Sequence, residues 1–262
     1  MKGPARRPSG TSASPGPEAA GETPLVYAFP RLPATFEQAV LPVDKPPGWS
    51  SFDVIRALRR LLGVRKIGHA GTLDPMATGL LICLVGRATK RMASFMELPK
   101  TYEGTLRLGE VTPSYDAETE VAERRPWEHV TEAMLEEARR RFVGEVEQQP
   151  PMYSAVKVGG ERLYRKARRG EVVERPPRRV RIAAFELTGR DGPDVSFRVH
   201  CSKGTYIRTL AHDFGQVLGC GAHLVALRRT AIGPYGVEAA WRLQDLEAAL
   251  KTRRQEAGKG SA

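Results

Sequence analysis

The longest apolar run in the chain, Leu80–Val85 (LLICLV), is six residues long and lies between Gly79 and Gly86. A bilayer span takes about 20 residues, so this run reads as an apolar strand rather than a membrane segment. The amino terminus has no apolar stretch of the signal-peptide kind, and nothing in the sequence points to a membrane. The elements around the run set the fold class. Before it, a short strand from Leu41 to Val43 leads into SSFDVIRALRRLLG. There Ser50 or Ser51 caps a helix that places Val54, Ile55, Leu58 and Leu62 on one face, and Gly63 ends it. After it come a helix near Thr89–Met96 and the near-alternating strand TYEGTLRL. TEAMLEEARRRFVG then reads as a helix with Met134, Ala138 and Phe142 four apart, and VSFRVHC puts Val195, Phe197, Val199 and Cys201 on one side of a strand. The clearest helix is YIRTLAHDFGQVLG, with a stripe of Ile207, Leu210, Ala211, Phe214, Val217 and Leu218 and with Tyr206 and Arg208 at its amino-terminal end. Such an order predicts an α+β fold, a central mixed, mostly antiparallel sheet flanked by helices.

With 262 residues, 41% of them hydrophobic, the chain can bury a substantial core. Residues 1–24 hold five Pro, four Gly and three Ser and few large apolar groups, too few to offset the entropy of ordering. The expected organisation is a disordered tail over 1–36, one catalytic domain over 37–250, and a basic flexible tail over 251–262. Three cysteines, Cys83, Cys201 and Cys220, form no CxxC pair and fit reduced thiols in the cytoplasm.

Forty-one basic against 30 acidic residues give a formal charge of +11, which favours polyanionic partners through counterion release. The excess is concentrated between Lys157 and Arg181, with Tyr153 and Tyr164 beside or within it. A helix over Glu161–Arg169 would place Arg162, Lys166 and Arg169 on one face with Arg165 beside them, and Leu163 and Ala167 on another. That face is either a phosphate-binding surface or a solvated one.

Chemistry has few places to reside. Cys201, Cys220, His200 and His223 are metal-ligand types, but their spacings match no zinc pattern, and no H-x-E with P-C-x-x-C supports a zinc deaminase. No P-loop is present. The stretch GHAGTLDPMATGLL, residues 68–81, concentrates Gly68, Gly71 and Gly79 around His69 and Asp74. Asp74 before Pro75 suits a helix N-cap followed by N1, and it equally suits a catalytic carboxylate. The glycines permit close approach of another backbone, such as a nucleic-acid strand.

The same stretch resembles the catalytic motif of the TruB family of tRNA pseudouridine synthases. VDKPPGWSS, KTYEGTLRLGEVTPSYDAE, PPMYSAVKVGGERLYRKARRGE, CSKGTYIRTLAHDFG and GAHLVALRRTAIGPY also resemble family segments, in the family's order, from about Leu41 to Leu250. The resemblance implies a pseudouridine synthase fold and isomerisation of uridine 55 in the tRNA T loop. On it, Asp74 is the catalytic aspartate, Tyr102 the tyrosine that stacks on the target base, and Arg208 the arginine that pairs with the aspartate. Leu227 is an apolar pocket residue, His69 supports the everted nucleotide, Lys45 lies near the pocket, and Tyr206 shares the string of Arg208. No metal or other cofactor is implied. The implied partner is the T arm of tRNA, bound by a cytoplasmic monomer without guide RNA. TPSYDAETEV departs from the family's Thr-Asp pairing before Asp116, and the family's common carboxy-terminal PUA domain is expected to be absent. Two other readings remain: a non-catalytic RNA-binding protein with Asp74 as a helix cap, and a guide-RNA-dependent relative acting on ribosomal RNA.

Overall fold

The computed structural model describes residues 25–154 and 157–259. Along the chain, β1 (Val26–Tyr27) and β2 (Gln38–Lys45) precede α1 (Ser51–Leu62), β3 (Ile67–His69) and β4 (Thr78–Gly86). A 3-10 turn over Arg87–Arg91 leads to α2 (Met92–Glu97), β5 (Lys100–Leu108), β6 (Glu110–Val111), β7 (Glu123–Arg124), α3 (Glu132–Arg140) and β8 (Gly144–Gln148). The hairpin β9 (Lys157–Val158) and β10 (Glu161–Arg162) runs into α4 (Leu163–Arg168), followed by β11 (Arg178–Asp191), β12 (Asp194–Cys201) and α5 (Ile207–Val217). The chain closes with β13 (Ala222–Ile232), β14 (Tyr235–Gly236), a 3-10 turn over Val237–Ala239 and α6 (Leu243–Lys259).

Local chemistry explains the best-defined boundary. Ser50 caps α1 by accepting from the Asp53 amide, the Asp53 carboxylate accepts in turn from the Ser50 amide, and Gly63 closes the helix at φ +69°. Val54, Ile55 and Leu58 of α1 then pack on β2 and β4. The LLICLV run is buried over its full length in the middle of β4, as expected of a strand covered on both faces.

Ten strands make one sheet in the order β1-β2-β4-β13-β5-β12-β11-β8, with β3 on β4 and β14 on β13. Pairing is antiparallel throughout this sheet except at β1·β2 and β4·β13. The β4·β13 contact is two pairs long, Thr78 with Arg228 and Gly79 with Arg229, and joins two antiparallel halves that have separate cores. One core lies under α1 and α6, a second gathers Phe185, Phe197 and Phe214 from β11, β12 and α5, and a third packs Leu80, Ile82 and Leu84 of β4 with Phe95 of α2. The segment carrying Asp74 runs directly into this junction.

Several expectations are corrected. Residues 25–36, assigned to the tail, include β1, and Ala28 and Phe36 are buried in the first core because β1 finds a parallel partner in β2; residues 1–24 lie outside the described part. The carboxy-terminal tail expected from 251 is helical to Lys259, because Leu246 and Leu250 anchor α6 and its remainder continues without a break. Residues 260–262 are not described. In α3 Ala138 is buried and Phe142 packs against the second core as expected, while Met134 is exposed and Leu135 takes its place. No helix starts at Pro75. α4 begins at Leu163, because Arg162 is already paired in the hairpin.

Candidate active site

Asp74 sits in the loop between β3 and β4, and nearly every residue of that loop is fixed from a different part of the chain. Ser51, the first residue of α1, accepts from the Leu73 amide at 2.8 Å and donates to the Leu73 carbonyl at 3.1 Å through one hydroxyl. The Pro75 carbonyl accepts from the Gly48 amide at 2.9 Å and from Lys45 Nζ at 3.2 Å. The Met76 amide donates to Glu118 Oε1 at 3.3 Å. Leu73 and Ala77 are buried in the second core, so the loop is anchored by apolar contacts on both sides of the aspartate. Asp74 is no helix cap here: the Ala77 amide turns back to its backbone carbonyl, and its carboxylate is engaged elsewhere.

That partner is Arg208, in the first turn of α5. Nε and Nη2 grip the carboxylate in a fork at 2.9 and 3.2 Å. Nη1 donates to the Ser114 carbonyl at 3.0 Å and Nη2 to that of Tyr153 at 2.8 Å. The Arg208 side chain is 5% exposed and that of Asp74 35%, so a buried cation presents a carboxylate to an open cleft. Gln148 fixes the start of the helix, accepting from the Tyr206 amide at 2.9 Å and donating to its carbonyl at 3.3 Å.

A second carboxylate, Asp116, approaches Arg208 to 3.4 Å with a side chain 1% exposed. Oδ1 accepts from the Ser114 hydroxyl at 2.5 Å and the Glu118 amide at 3.0 Å, while Oδ2 has no hydrogen-bond partner. Burial pushes the Asp116 carboxyl above the usual range, outweighing the Ser114 hydrogen bond and the Arg208 charge that pull it down. Its loop is held by Tyr115, which takes φ +64° and stacks on His212 with centroids 3.8 Å apart.

The cleft in front of Asp74 has a volume of about 590 Å³, and Tyr102, Leu227, Tyr206 and Arg208 all line it. Tyr102 stands on β5 opposite Arg229 of β13 and Val199 of β12. Burial raises the Tyr102 and Tyr206 phenols, keeping both protonated at neutral pH. Arg178, Arg179 and Lys203 make the rim basic.

Two of the expected residues stand behind this surface. Lys45 is fully buried, its ammonium on the carbonyls of Pro46 (2.9 Å), Trp49 (2.6 Å) and Pro75 (3.2 Å), and burial lowers it to about 8 despite the nearby Asp74 charge. His69 pairs in β3 with Cys83 of β4; burial, helped by the Arg229 charge, lowers its imidazole, so it is neutral at pH 7. The glycines serve the chain's own packing. A Cβ on Gly68 would meet the Met92 side chain at 2.3 Å, and one on Gly79 the Arg229 carbonyl oxygen at 2.3 Å. At Gly79 the approaching backbone is that of β13. Cys83, Cys201 and Cys220 are buried free thiols.

Gln148, Lys100 and Arg229 were not singled out by the sequence, and Asp116 only as the position before which TPSYDAETEV departs from the family pattern. Lys100 carried the one available signal, since Lys100 and Tyr102 are two apart on a strand and share a face.

The family model described as TruB family pseudouridylate synthase (N terminal domain) matches residues 59–207, and that of the tRNA pseudouridylate synthase B C-terminal domain matches 208–260. A tRNA pseudouridine synthase B of Opitutus terrae is 53% identical over 209 residues, covering 80% of this chain and 87% of the relative. One of Thermobifida fusca is 52% identical over 217 residues, covering 80% and 74%. One of Flavobacterium johnsoniae is 48% identical over 209 residues, covering 77% and 91%. Among solved structures, a chain in the crystal structure of a Cbf5-Nop10-Gar1 complex superposes with a TM-score of 0.64 at 32% identity, covering 81% of this chain and 54% of that one. This chain thus spans about half the length of that structural relative.

Proposed function

Because the chain belongs to the TruB family of pseudouridylate synthases, we infer that this cleft isomerises uridine 55 in the T loop of tRNA, with Asp74 as its catalytic carboxylate. The chain is an isomerase acting on tRNA. The observation that carries the site reading is the forked Arg208–Asp74 pair, a half-exposed carboxylate held by a buried guanidinium at the mouth of the cleft.

The reaction breaks the glycosidic bond from C1′ to N1 of uracil and forms one from C1′ to C5. The C5 proton is lost and N1 regains one, so atoms and charge balance within one molecule and no redox partner or cosubstrate is required. Asp74 serves either as nucleophile toward the sugar or base, or as the base that takes a proton from the ribose. In both roles the forked hydrogen bond from the guanidinium of Arg208 fixes the direction of the carboxylate. Reaching the uridine requires eversion from the T loop at a few kcal/mol, offset by stacking on Tyr102 at roughly 1 to 3 kcal/mol. Leu227 supplies an apolar wall, Tyr206 a second aromatic surface, and Lys45 and His69 support the loop from behind.

We further propose a cytoplasmic monomer that needs no guide RNA, supported by its likeness to curated tRNA pseudouridine synthases over most of their length. No helix among the described residues is long and apolar enough to cross a membrane. The test is to incubate purified protein with an unmodified tRNA transcript, without guide RNA, and to map pseudouridine by chemical adduct formation. Product at position 55 supports the reading. No product without a guide RNA favours the guide-dependent alternative, and none under either condition favours a non-catalytic RNA binder.

A further inference from the structure

The loop that carries Asp74 leaves the sheet after β3 and rejoins it in β4, and one side chain closes its neck. Arg229 of β13, 1% exposed, donates from Nη2 to the Gly71 carbonyl at 3.1 Å and from Nη1 to the Thr72 carbonyl at 3.4 Å. From Nε it donates to the Leu80 carbonyl at 2.8 Å. Its acceptors therefore stand at the two ends of the loop, and all three are main-chain oxygens. The backbone of Arg229 interlocks at the same place. It pairs with Gly79 in the parallel contact, and Gly79, at φ +101°, has no room for a Cβ against it.

No ion pair joins Arg229 to a carboxylate among the described residues. Burying a guanidinium costs several kcal/mol in desolvation, and an apolar side chain of similar volume would fill the space without that cost. Arg208 holds the carboxylate of Asp74 but not the main chain that presents it. Arg229 holds that main chain, and its own backbone stands opposite Tyr102 in the β5·β13 ladder.

We propose that Arg229 is a positioning residue for the isomerisation, a clasp across the neck of the loop that holds Asp74 at a fixed separation from Tyr102 across the cleft. This rests on the reading of Asp74 as the catalytic carboxylate. A shift of about 1 Å in a positioned group costs on the order of 100-fold in rate. Loss of the clasp therefore acts on turnover, while tRNA affinity, spread over many phosphates, is left nearly intact.

The experiment compares the parent chain, Arg229→Gln and Arg229→Lys on an unmodified tRNA transcript, measuring the single-turnover rate at saturating enzyme, the Kd, and thermal unfolding. Arg229→Gln is expected to slow the rate about 100-fold with Kd within about threefold of the parent. Arg229→Lys is expected to recover at least about tenfold of that loss, since an ammonium keeps the charge and reaches two of the three carbonyls. The proposal is overturned if the Arg229→Gln rate stays within about threefold of the parent, if rate and affinity fall by the same factor, or if lysine is no better than glutamine. It is also overturned if even Arg229→Lys loses cooperative unfolding, which would make the residue a determinant of the fold. Product from the parent chain keeps the functional reading intact in each of these cases; absence of product from the parent refutes that reading itself.

Discussion

The cluster around Asp74 and the basic stretch from Lys157 to Arg181 are both rich in charge, and they hold it in opposite ways. At Asp74 the partners come from far along the chain: Arg208 is 134 residues away and Arg229 reaches back 157 residues to Thr72. Their charged atoms are buried, and the donors of Arg208 and Arg229 are bound to named oxygens. In the basic stretch the ion pairs lie at the surface, Arg169 with Glu161 at 2.8 Å and with Glu171 at 2.7 Å, and Arg179 with Glu147 of β8 at 3.6 Å. Coulomb energy at a fixed distance is several times larger in the first environment than in the second. A buried charge therefore fixes geometry, and an exposed one contributes attraction that is summed over many neighbours and screened by salt.

Substitutions separate the two regions, beginning with the largest effect. Asp74→Asn keeps the volume and the ability to accept from Arg208 but removes the carboxylate. Turnover is expected to fall by about four orders of magnitude or more, with tRNA affinity and thermal unfolding near those of the parent. Near-parental turnover in this variant would reduce Asp74 to a structural role. Tyr102→Leu keeps an apolar wall but removes the flat ring, and is expected to lower single-turnover rate by roughly 100-fold while Kd changes little. Equal losses in both would make Tyr102 a binding or folding residue.

Burial gives the cleft a pH signature that the exposed stretch lacks. Lys100 lies at the cleft with its ammonium on the carbonyls of Met96 and Leu98, and burial lowers it to about 8 from 10.5. Between those two values the unfolded chain binds the proton and the folded chain does not. The contribution of Lys100 to stability therefore rises from about pH 8 to pH 10.5, by up to about 3 kcal/mol. Denaturant unfolding across that range should show a rise that Lys100→Met diminishes; an identical pH profile in the variant would mean that Lys100 is solvated. The smallest expected effect belongs to the basic stretch. Neutralising Arg162 and Lys166 to Gln should reduce the log-log salt slope of tRNA binding by roughly 1.4 to 1.8 with little change in saturated turnover. An unchanged slope would place the RNA elsewhere.

What the sequence revealed depended on the range of the cause. α1 was legible to within one residue, because its capping serine and Gly63 act on their own helix ends. The inward side of β12 and the α5 stripe were legible for the same reason, period and burial agreeing except at Val217, which is exposed near the end of the helix. The start of α4 was not, since the chain that ought to begin the helix pairs with β9 instead. Asp74 invited two readings because Asp-Pro is a local signal for a helix cap, and the competing pull of Arg208 comes from a strand-and-helix pair far downstream. Gln148 and Arg229 left no local trace, and Asp116 only the departure in the stretch before it. Each acts on a residue more than 50 positions away, Asp116 and Gln148 on the start of α5 and Arg229 across the junction of the two halves of the sheet at β4 and β13.

The division between a buried chemical cluster and a solvated basic surface is tested most directly on the unaltered protein. The measurement is the single-turnover rate of pseudouridine formation at saturating concentrations, followed from about 50 to 200 mM salt together with Kd. Six or more phosphate contacts would weaken Kd by about 1,000-fold over that range, whereas a rate set by buried, hydrogen-bonded groups is expected to stay constant within about twofold. A saturated rate that falls in parallel with affinity would contradict the account, because the exposed charges would then take part in the chemical step.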